Sequence, residues 1–286
     1  MKFSLWTQNG ALNSKPVFDA FKDGVSQLGF TSIDNSYDAD VAVIWSVLWS
    51  GRMSANKTVY EHFKKLNKPV IVLEVGALER NLLWRVSIDN KFFGHNTENT
   101  DERLKNLGLL IRPWRSPDKN KKILICCQNV FSQQWASMPE TSLYLTTVIT
   151  EIQKYTDRCI VVRPHPRFLS NIPETLKKFK NVELNIPKKI ENTYDDYDFE
   201  DQLSKSWCVV NYNSNPGVIS LINGVPVFAH PDSLSGKLSE FDFSKIETPK
   251  IIDRQQWLND IVYTEWSIDE ISRGIPLSRI LDKLKT

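Results

Sequence analysis

Apolar residues in this chain fall into short unbroken blocks, separated by stretches in which they recur every third or fourth position. "FSLWT" (3–7), "VAVIWSVLW" (41–49) and "PVIVLEVG" (69–76) are the first blocks. Continuous rather than alternating hydrophobicity predicts parallel strands covered on both faces. Between them, "KPVFDAFKDGVSQLG" sets Val17, Phe18, Phe21, Val25 and Leu28 at helical spacing behind Ser14, and "SANKTVYEHFKKLNK" predicts a helix capped by Ser54. "RPWRSPDKNKK" (112–122), with two prolines and a run of charge, predicts a linker. The pattern then restarts, with strands in "KILICCQ", "RCIVVRPHP", "WCVVNYN" and "PVFAHP". Helices fall in "MPETSLYLTTVITEIQKYT", "PETLKKFK", "DFEDQLSKS" and "SNPGVISLINGV". The tail "DRQQWLNDIVYTEWSIDEISRGI" predicts helix, with an apolar stripe of Trp257, Leu258, Ile261, Val262 and Trp266. The expectation is an α/β chain of two Rossmann-like parallel-sheet domains facing a cleft, residues 1–115 and 120–250. C-terminal helices, 251–286, are expected to pack back on them.

Composition narrows this picture only a little. The 286 residues are 41% hydrophobic and 24% charged, the balance of a globular protein rather than a disordered one. A formal charge of +2 excludes a strong polyanion-binding field over the whole molecule, although 36 Lys and Arg leave room for a local basic face. "MKFSLWTQNG" opens on a strand with no basic, then apolar, leader, and the longest apolar block is strand-sized. No membrane span and a cytoplasmic location are therefore expected. Cys126, Cys127, Cys159 and Cys208 each lie in or beside an apolar run, as buried thiols of a reducing compartment do. The chain holds no G-x-G-x-x-G, no G-x-x-x-x-G-K-[ST] and no finger-like ligand spacing. No permanently bound cofactor and no metal are expected.

Chemistry concentrates behind two strands of the second half. "RPHPR" places Arg163, His165 and Arg167 within five residues, in a loop that its prolines keep out of helix. Two forked guanidiniums beside an imidazole suit a doubly charged anion; a surface salt-bridge loop is the plainer alternative. "NYNSNPGVIS" follows another strand, where Ser214 or Asn215 can cap a helix, Pro216 suits its first turn and Gly217 admits a close approach. A helix start of this kind is ordinary capping, and it also attracts phosphate. In parallel sheets ligands bind beyond the carboxyl ends of the strands, where both loops fall.

"RPHPR", the "YDD" of "NTYDDYD" (192–198) and "NSNPGVISLINGVPVF" together resemble the donor-binding half of GT-B-fold glycosyltransferases, with capsule-polysaccharide transferases of the Kdo type nearest over residues 120–235. Including "LNSKPVFDAF", "DADVAVIWSVLWSGRM" and "NKPVIVLEVG", the chain also resembles short glycosyltransferase-like proteins of tailed bacteriophages, some of which modify hydroxymethylated pyrimidines in viral DNA. The resemblance implies a nucleotide-diphosphate sugar as donor and DNA as the preferred acceptor, with a surface or capsule glycan as the alternative. The cytoplasm would be the host's if the gene is viral, and a monomer or homodimer is expected. It puts Arg163, His165 and Arg167 near the donor pyrophosphate or sugar acid, and Ser214, Asn215 and Gly217 on the phosphates. Tyr194 would stack on the base, and Asp195 or Asp196 would take hydroxyl protons. The late ribose-binding Glu of many members is missing; "PVFAHPDS" offers only Asp232.

Transfer to a hydroxyl needs a base, and Glu74 in "VIVLEVGALERN" stands at a strand end next to Gly76. Glu74 and His165 are the catalytic candidates, although a carboxylate merely paired with Arg80 or Arg85 fits Glu74 equally well. Asp38 and Asp40 of "YDAD" are runners-up; His62 reads as a solvated helix residue, and His95 lies on a loop. On the acceptor side, "TQNGALNSKP" offers Asn9 and Asn13 for hydrogen bonds, and "WSVLWSGRMSANK" offers Trp49 and Arg52 for stacking or clamping. Arg80, Arg85 and Lys91 would form a basic rim. Two further classes stay open: a non-catalytic nucleotide-sugar-binding module, and a sugar epimerase using His165 with Glu74 or Asp196.

Overall fold

A computed structural model describes residues 1–91, 93–94, 99–169, 171–193 and 195–284. The chain forms two compact units, residues 1–108 with 256–286, and residues 109–255. The first stretch runs β1 (Lys2–Leu5), α1 (Lys15–Gln27), β2 (Thr31–Asp34), β3 (Val41–Trp45), α2 (Asn56–Lys65), β4 (Val70–Val75), β5 (Trp84–Ile88) and α3 (Glu102–Asn106). The second unit holds β6 (Lys122–Cys126), α4 (Thr141–Ile152), β7 (Ile160–Arg163), α5 (Ile172–Leu176), β8 (Val182–Leu184), α6 (Phe199–Ser204), β9 (Ser206–Asn211), α7 (Asn215–Ile222) and β10 (Val227–Phe228). The chain then ends with α8 (Gln255–Ile261), β11 (Glu265–Trp266), α9 (Ile268–Ser272) and α10 (Ile275–Leu284).

The first unit is built on a six-stranded sheet in the order β11-β5-β4-β3-β1-β2. Its β2, β1, β3 and β4 are parallel, as unbroken apolar runs require. Val41, Val43, Trp45, Ile71 and Leu73 point to the face packed with α1, α9 and α10; Ala42, Ile44, Val70 and Val72 point to the face covered by α2. Both faces being filled explains why β3 is buried along its whole length. The strand expected to reach residue 49 stops at Trp45, because Ser46 takes a left-handed backbone (φ 59°) and turns the chain. Beyond β4, β5 and the edge strand β11 are antiparallel additions. Trp266 therefore lies in a strand opposite Trp84, not on the expected helical stripe, though it is buried as that stripe required.

The second unit carries an all-parallel sheet in the order β10-β9-β6-β7-β8. Two crossovers build outward from β6 to one side, and the chain then returns to the other side, leaving a switch point between β6 and β9. Ile123, Ile125, Ile160, Val162, Cys208 and Val210 fill one face with Leu145, Ile149 and Ile152 of α4. The segment read as a linker is laid onto this unit. Arg112 and Arg115 donate backbone bonds to the carbonyls of Ile222 and Gly224 at 2.9 Å, and Trp114 lies under the Arg254 guanidinium, 3.8 Å from the ring centroid. Its charges mislead because the anchor is a half-buried tryptophan stacked on a buried arginine far along the chain. The α/β architecture of two Rossmann-like, parallel-rich sheets is thus as the pattern predicts.

Candidate functional site

Three strand tips of the second unit stand level. Cys126 of β6 is the register partner of both Arg163 on β7 and Asn211 on β9. At about 4.8 Å between neighbouring strands, the backbones of Arg163 and Asn211 are on the order of 10 Å apart on one carboxyl edge. The loops that follow gather polar groups around the switch point.

Arg163 itself is turned inward. It is 5% exposed, and its Nη1 and Nη2 donate to Asn185 Oδ1 and to Asp198 Oδ1, the latter at 2.7 Å. Asp198 also accepts the Lys188 amide at 2.9 Å. Burial pushes the Asp198 carboxyl up, but the Arg163 and amide bonds hold it below its usual range. The fork expected on a donor phosphate is thus occupied by the fold's own carboxylate and amide. Arg167 is the outward cation, 44% exposed at the side chain, with Nη2 2.7 Å from Asp195 Oδ2. This bond ties the "RPHPR" loop to the "YDD" segment. Asp196, half-buried, donates its amide to Thr193 Oγ1 at 3.3 Å; Tyr194 lies outside the described residues.

His165 is half-buried between these loops and the one after β6. Its Nδ1 accepts the Arg167 amide at 3.2 Å, so the neutral ring carries its proton on Nε2. Asn129 Nδ2 lies 3.4 Å from the same nitrogen. Asn129, Gln128 and Ser132, all buried, are site-edge residues that sequence analysis missed. The available signal was three polar side chains directly behind an apolar strand at the switch point.

Ser214 occupies the cap position of α7 in extended conformation, yet its side chain takes no helix amide. Instead its Oγ accepts from Asn211 Nδ2 at 3.2 Å. Asn215 and Pro216 begin the helix, and Gly217 is buried where a Cβ would fall 2.6 Å from Ser235 Oγ and 2.9 Å from Asn211 Oδ1. Glycine is needed there for close approach, not for φ. Gly217→Ala is expected to cost about 1–3 kcal/mol through overpacking, measured by urea unfolding; a neutral change would show that Ser235 yields freely.

In the first unit, the switch point lies between β1 and β3. Asn56, fully buried, ties the loops there together by donating to Trp45 O at 2.7 Å and to Asn9 O at 3.4 Å. Of the acceptor-side candidates, Asn9 is buried, Asn13 half-buried and Arg52 exposed, while Trp49 leans on Tyr60 with centroids 5.7 Å apart. Ser14 Oγ donates to Ala11 O rather than capping α1, and Ser54 precedes α2 by two residues.

Glu74, near the carboxyl end of β4, is half-buried, and its Oε1 accepts from Ser46 Oγ at 2.8 Å. Ser46 Oγ accepts in turn from the Leu48 amide at 3.1 Å, so the left-handed turn aims this hydroxyl. Burial pushes the Glu74 carboxyl above its ordinary range, against the opposing pull of Arg85, the Ser46 bond and Arg80. Arg85, expected on a basic rim, is instead buried, directly opposite Glu74 in register. Asp38 and Asp40 stand by the amino end of β3, bonded to Lys2, so they are at the other edge from Glu74. The exposed His62 ring packs on Tyr37, and His95 lies outside the described residues.

All four cysteines are free thiols; Cys126 is pushed up to about 12 by burial, and Cys159 is only partly buried. Among the described residues, no helix is long and apolar enough to cross a membrane, and no group of three or more His, Cys, Asp or Glu is placed to hold a metal ion.

No protein-family profile matches this sequence, and neither does any curated protein. Among solved structures, the chain is similar to a Thermosulfurimonas dismutans KpsC, beta Kdo 2,7 transferase, at 17% identity and TM-score 0.52, covering 100% of both chains. It is similar to a beta Kdo 2,4 transferase KpsC of the same organism at 13% identity and TM-score 0.51, covering 96% of this chain and 98% of that one. At these identities the likeness is one of fold, and the fold is GT-B-like.

Proposed function

We propose that the chain is a glycosyltransferase that moves a sugar from a nucleotide-diphosphate sugar to an acceptor hydroxyl. The observation that supports it most is the level edge of the second unit, where Arg167 and the Nε2–H side of His165 follow β7 and the amide end of α7 follows β9, the two strands that flank β6. A departing diphosphate gains negative charge, and fixed cations, N–H donors and a helix dipole favour that state over the intact donor. Glu74 is the proton acceptor in this proposal, with burial supplying its basicity and Ser46 its aim. For the acceptor, the phage-protein resemblance supports a hydroxymethylated pyrimidine in DNA, and the likeness to Kdo transferases keeps a glycan as the competing acceptor.

The test incubates the protein with nucleotide sugars and either hydroxymethylated DNA or oligosaccharide, followed by mass spectrometry. A hexose or sugar-acid adduct on the nucleoside is the expected result. An adduct only on the oligosaccharide overturns the DNA acceptor, and nucleotide binding without any adduct overturns transfer in favour of a binding module. Donor binding is read separately by thermal shift. Arg167→Ala is expected to weaken UDP binding about tenfold, the loss of one charge-assisted contact. Full retention of the shift in both Arg167→Ala and His165→Ala would remove this edge from the donor site.

A further inference from the structure

The C-terminal tail supplies a side chain that none of the chemistry above uses. Glu265 of β11 is 0% exposed, and it lies against the turn that follows β4. Its Oε1 accepts the Ala77 amide at 2.7 Å and Arg85 Nη2 at 2.9 Å, and its Oε2 accepts the Leu78 amide at 2.9 Å. Position 76 is cut to fit it, since a Cβ on Gly76 would fall 2.4 Å from Glu265 Oε2. Arg85 thus stands between two carboxylates, hydrogen-bonded to Glu265 and facing Glu74 across the β4–β5 pair. A guanidinium released from Glu265 has Glu74 as its neighbour on the same sheet face, and a forked ion pair there would occupy the lone pairs that a base must offer.

We infer that Glu265 is a positioning residue, which holds Arg85 against the Ala77–Leu78 turn and so leaves the Glu74 carboxylate aimed by Ser46 and open to a proton. The inference rests on Glu74 acting as the base of the proposed transfer. Besides burial, Arg85 from β5, Ser46 from the turn after β3 and Arg80 from the turn after β4 bear on the charge state of Glu74, with Glu265 behind Arg85. Removing either end of the Arg85–Glu265 pair must therefore move Glu74 in opposite directions. Without Glu265, Arg85 turns to Glu74 and favours its ionised form; without Arg85, that form loses the stronger of the two cations that favour it.

The experiment is a carbon-detected NMR titration of glutamate carboxyls in the full chain, with the Glu74 signal assigned by its loss in Glu74→Gln. Glu265→Gln keeps an oxygen for one amide and removes the charge. In it, the Glu74 proton affinity is expected to fall about tenfold; in Arg85→Gln it is expected to rise by a similar factor. In a transfer assay, Glu265→Gln shifts the acidic limb of kcat to lower pH, with the donor KM unchanged. Midpoints that stay in place in both folded variants, or move the same way, overturn the inference. Should Glu265→Gln fail to fold, Glu265→Asp replaces it, keeping the charge but shortening the reach to Arg85, and a Glu74 midpoint unmoved in that folded variant overturns the inference. The titration needs no substrate. Opposite shifts without sugar transfer would refute the proposed function while leaving the positioning intact, and transfer with fixed midpoints would do the reverse.

Discussion

Arg163→Ala is expected to destabilise the second unit by about 1.5–3 kcal/mol, the loss of charge-assisted hydrogen bonds from a buried arginine. The side chain is 5% exposed and supports both Asn185 and Asp198. Its removal leaves the Asp198 carboxylate to backbone amides, that of Lys188 among them, and takes away the side-chain ties of Asn185 and Asp198 to β7. Arg167→Ala, four residues on, removes a partly exposed pair worth roughly 0–1 kcal/mol. Urea unfolding, followed at a wavelength that separates the transitions of the two units, distinguishes these costs. If Arg163→Ala costs no more than Arg167→Ala, the inward pairing is not what holds the loop. The pair also has a pH signature. Asp198 sits below its unfolded-state range, so its share of stability is present at neutral pH and is lost as pH falls through that lowered value.

The second large effect is on turnover. Glu74→Gln is expected to lower kcat by about 10²–10⁴-fold, the usual worth of a positioned base, while a nucleotide still shifts the melting temperature as in the parent protein. Stability should move the other way. The folded chain holds the Glu74 proton at pH values where the unfolded chain has released it, because burial raises that carboxyl. Native stability therefore declines as pH rises through the window above the ordinary glutamate range. Glu74→Gln carries no such penalty, so it should melt higher than the parent at neutral pH and together with it in acid, where both side chains are neutral. A variant that transfers sugar at the parental rate would take Glu74 out of the mechanism, whatever its melting curve.

How far the candidate chemistry was legible differs residue by residue. His165 and Arg167 lie at the carboxyl edge where "RPHPR" placed them, since a loop after a parallel strand can only emerge there. Arg163 is two residues from His165, but it is the last residue of β7 rather than the first of the loop. Strand side chains alternate between faces, and in this sheet its partner Asp198 waits 35 positions away. Asn129 went unnoticed because a polar run behind a strand points to no particular chemistry until its neighbour is known to be His165. Arg85 looked like a surface cation although Trp84 and Val86 flank it, because its carboxylate partner is 180 positions away; an antiparallel strand, not visible in a chain that otherwise reads as parallel, put it inside.

Local pattern alone determined the α/β class, the all-parallel second sheet and the loops that carry polar groups, because burial on two faces and breaks at Pro and Gly need only neighbouring residues. Tertiary structure decided which charges face water and which face each other. Glu265 reaches the Ala77 amide from 188 positions away, and Ser46 reaches Glu74 from 28. The energy of a charge depends on what surrounds it after folding, and a linear chain does not contain that distance.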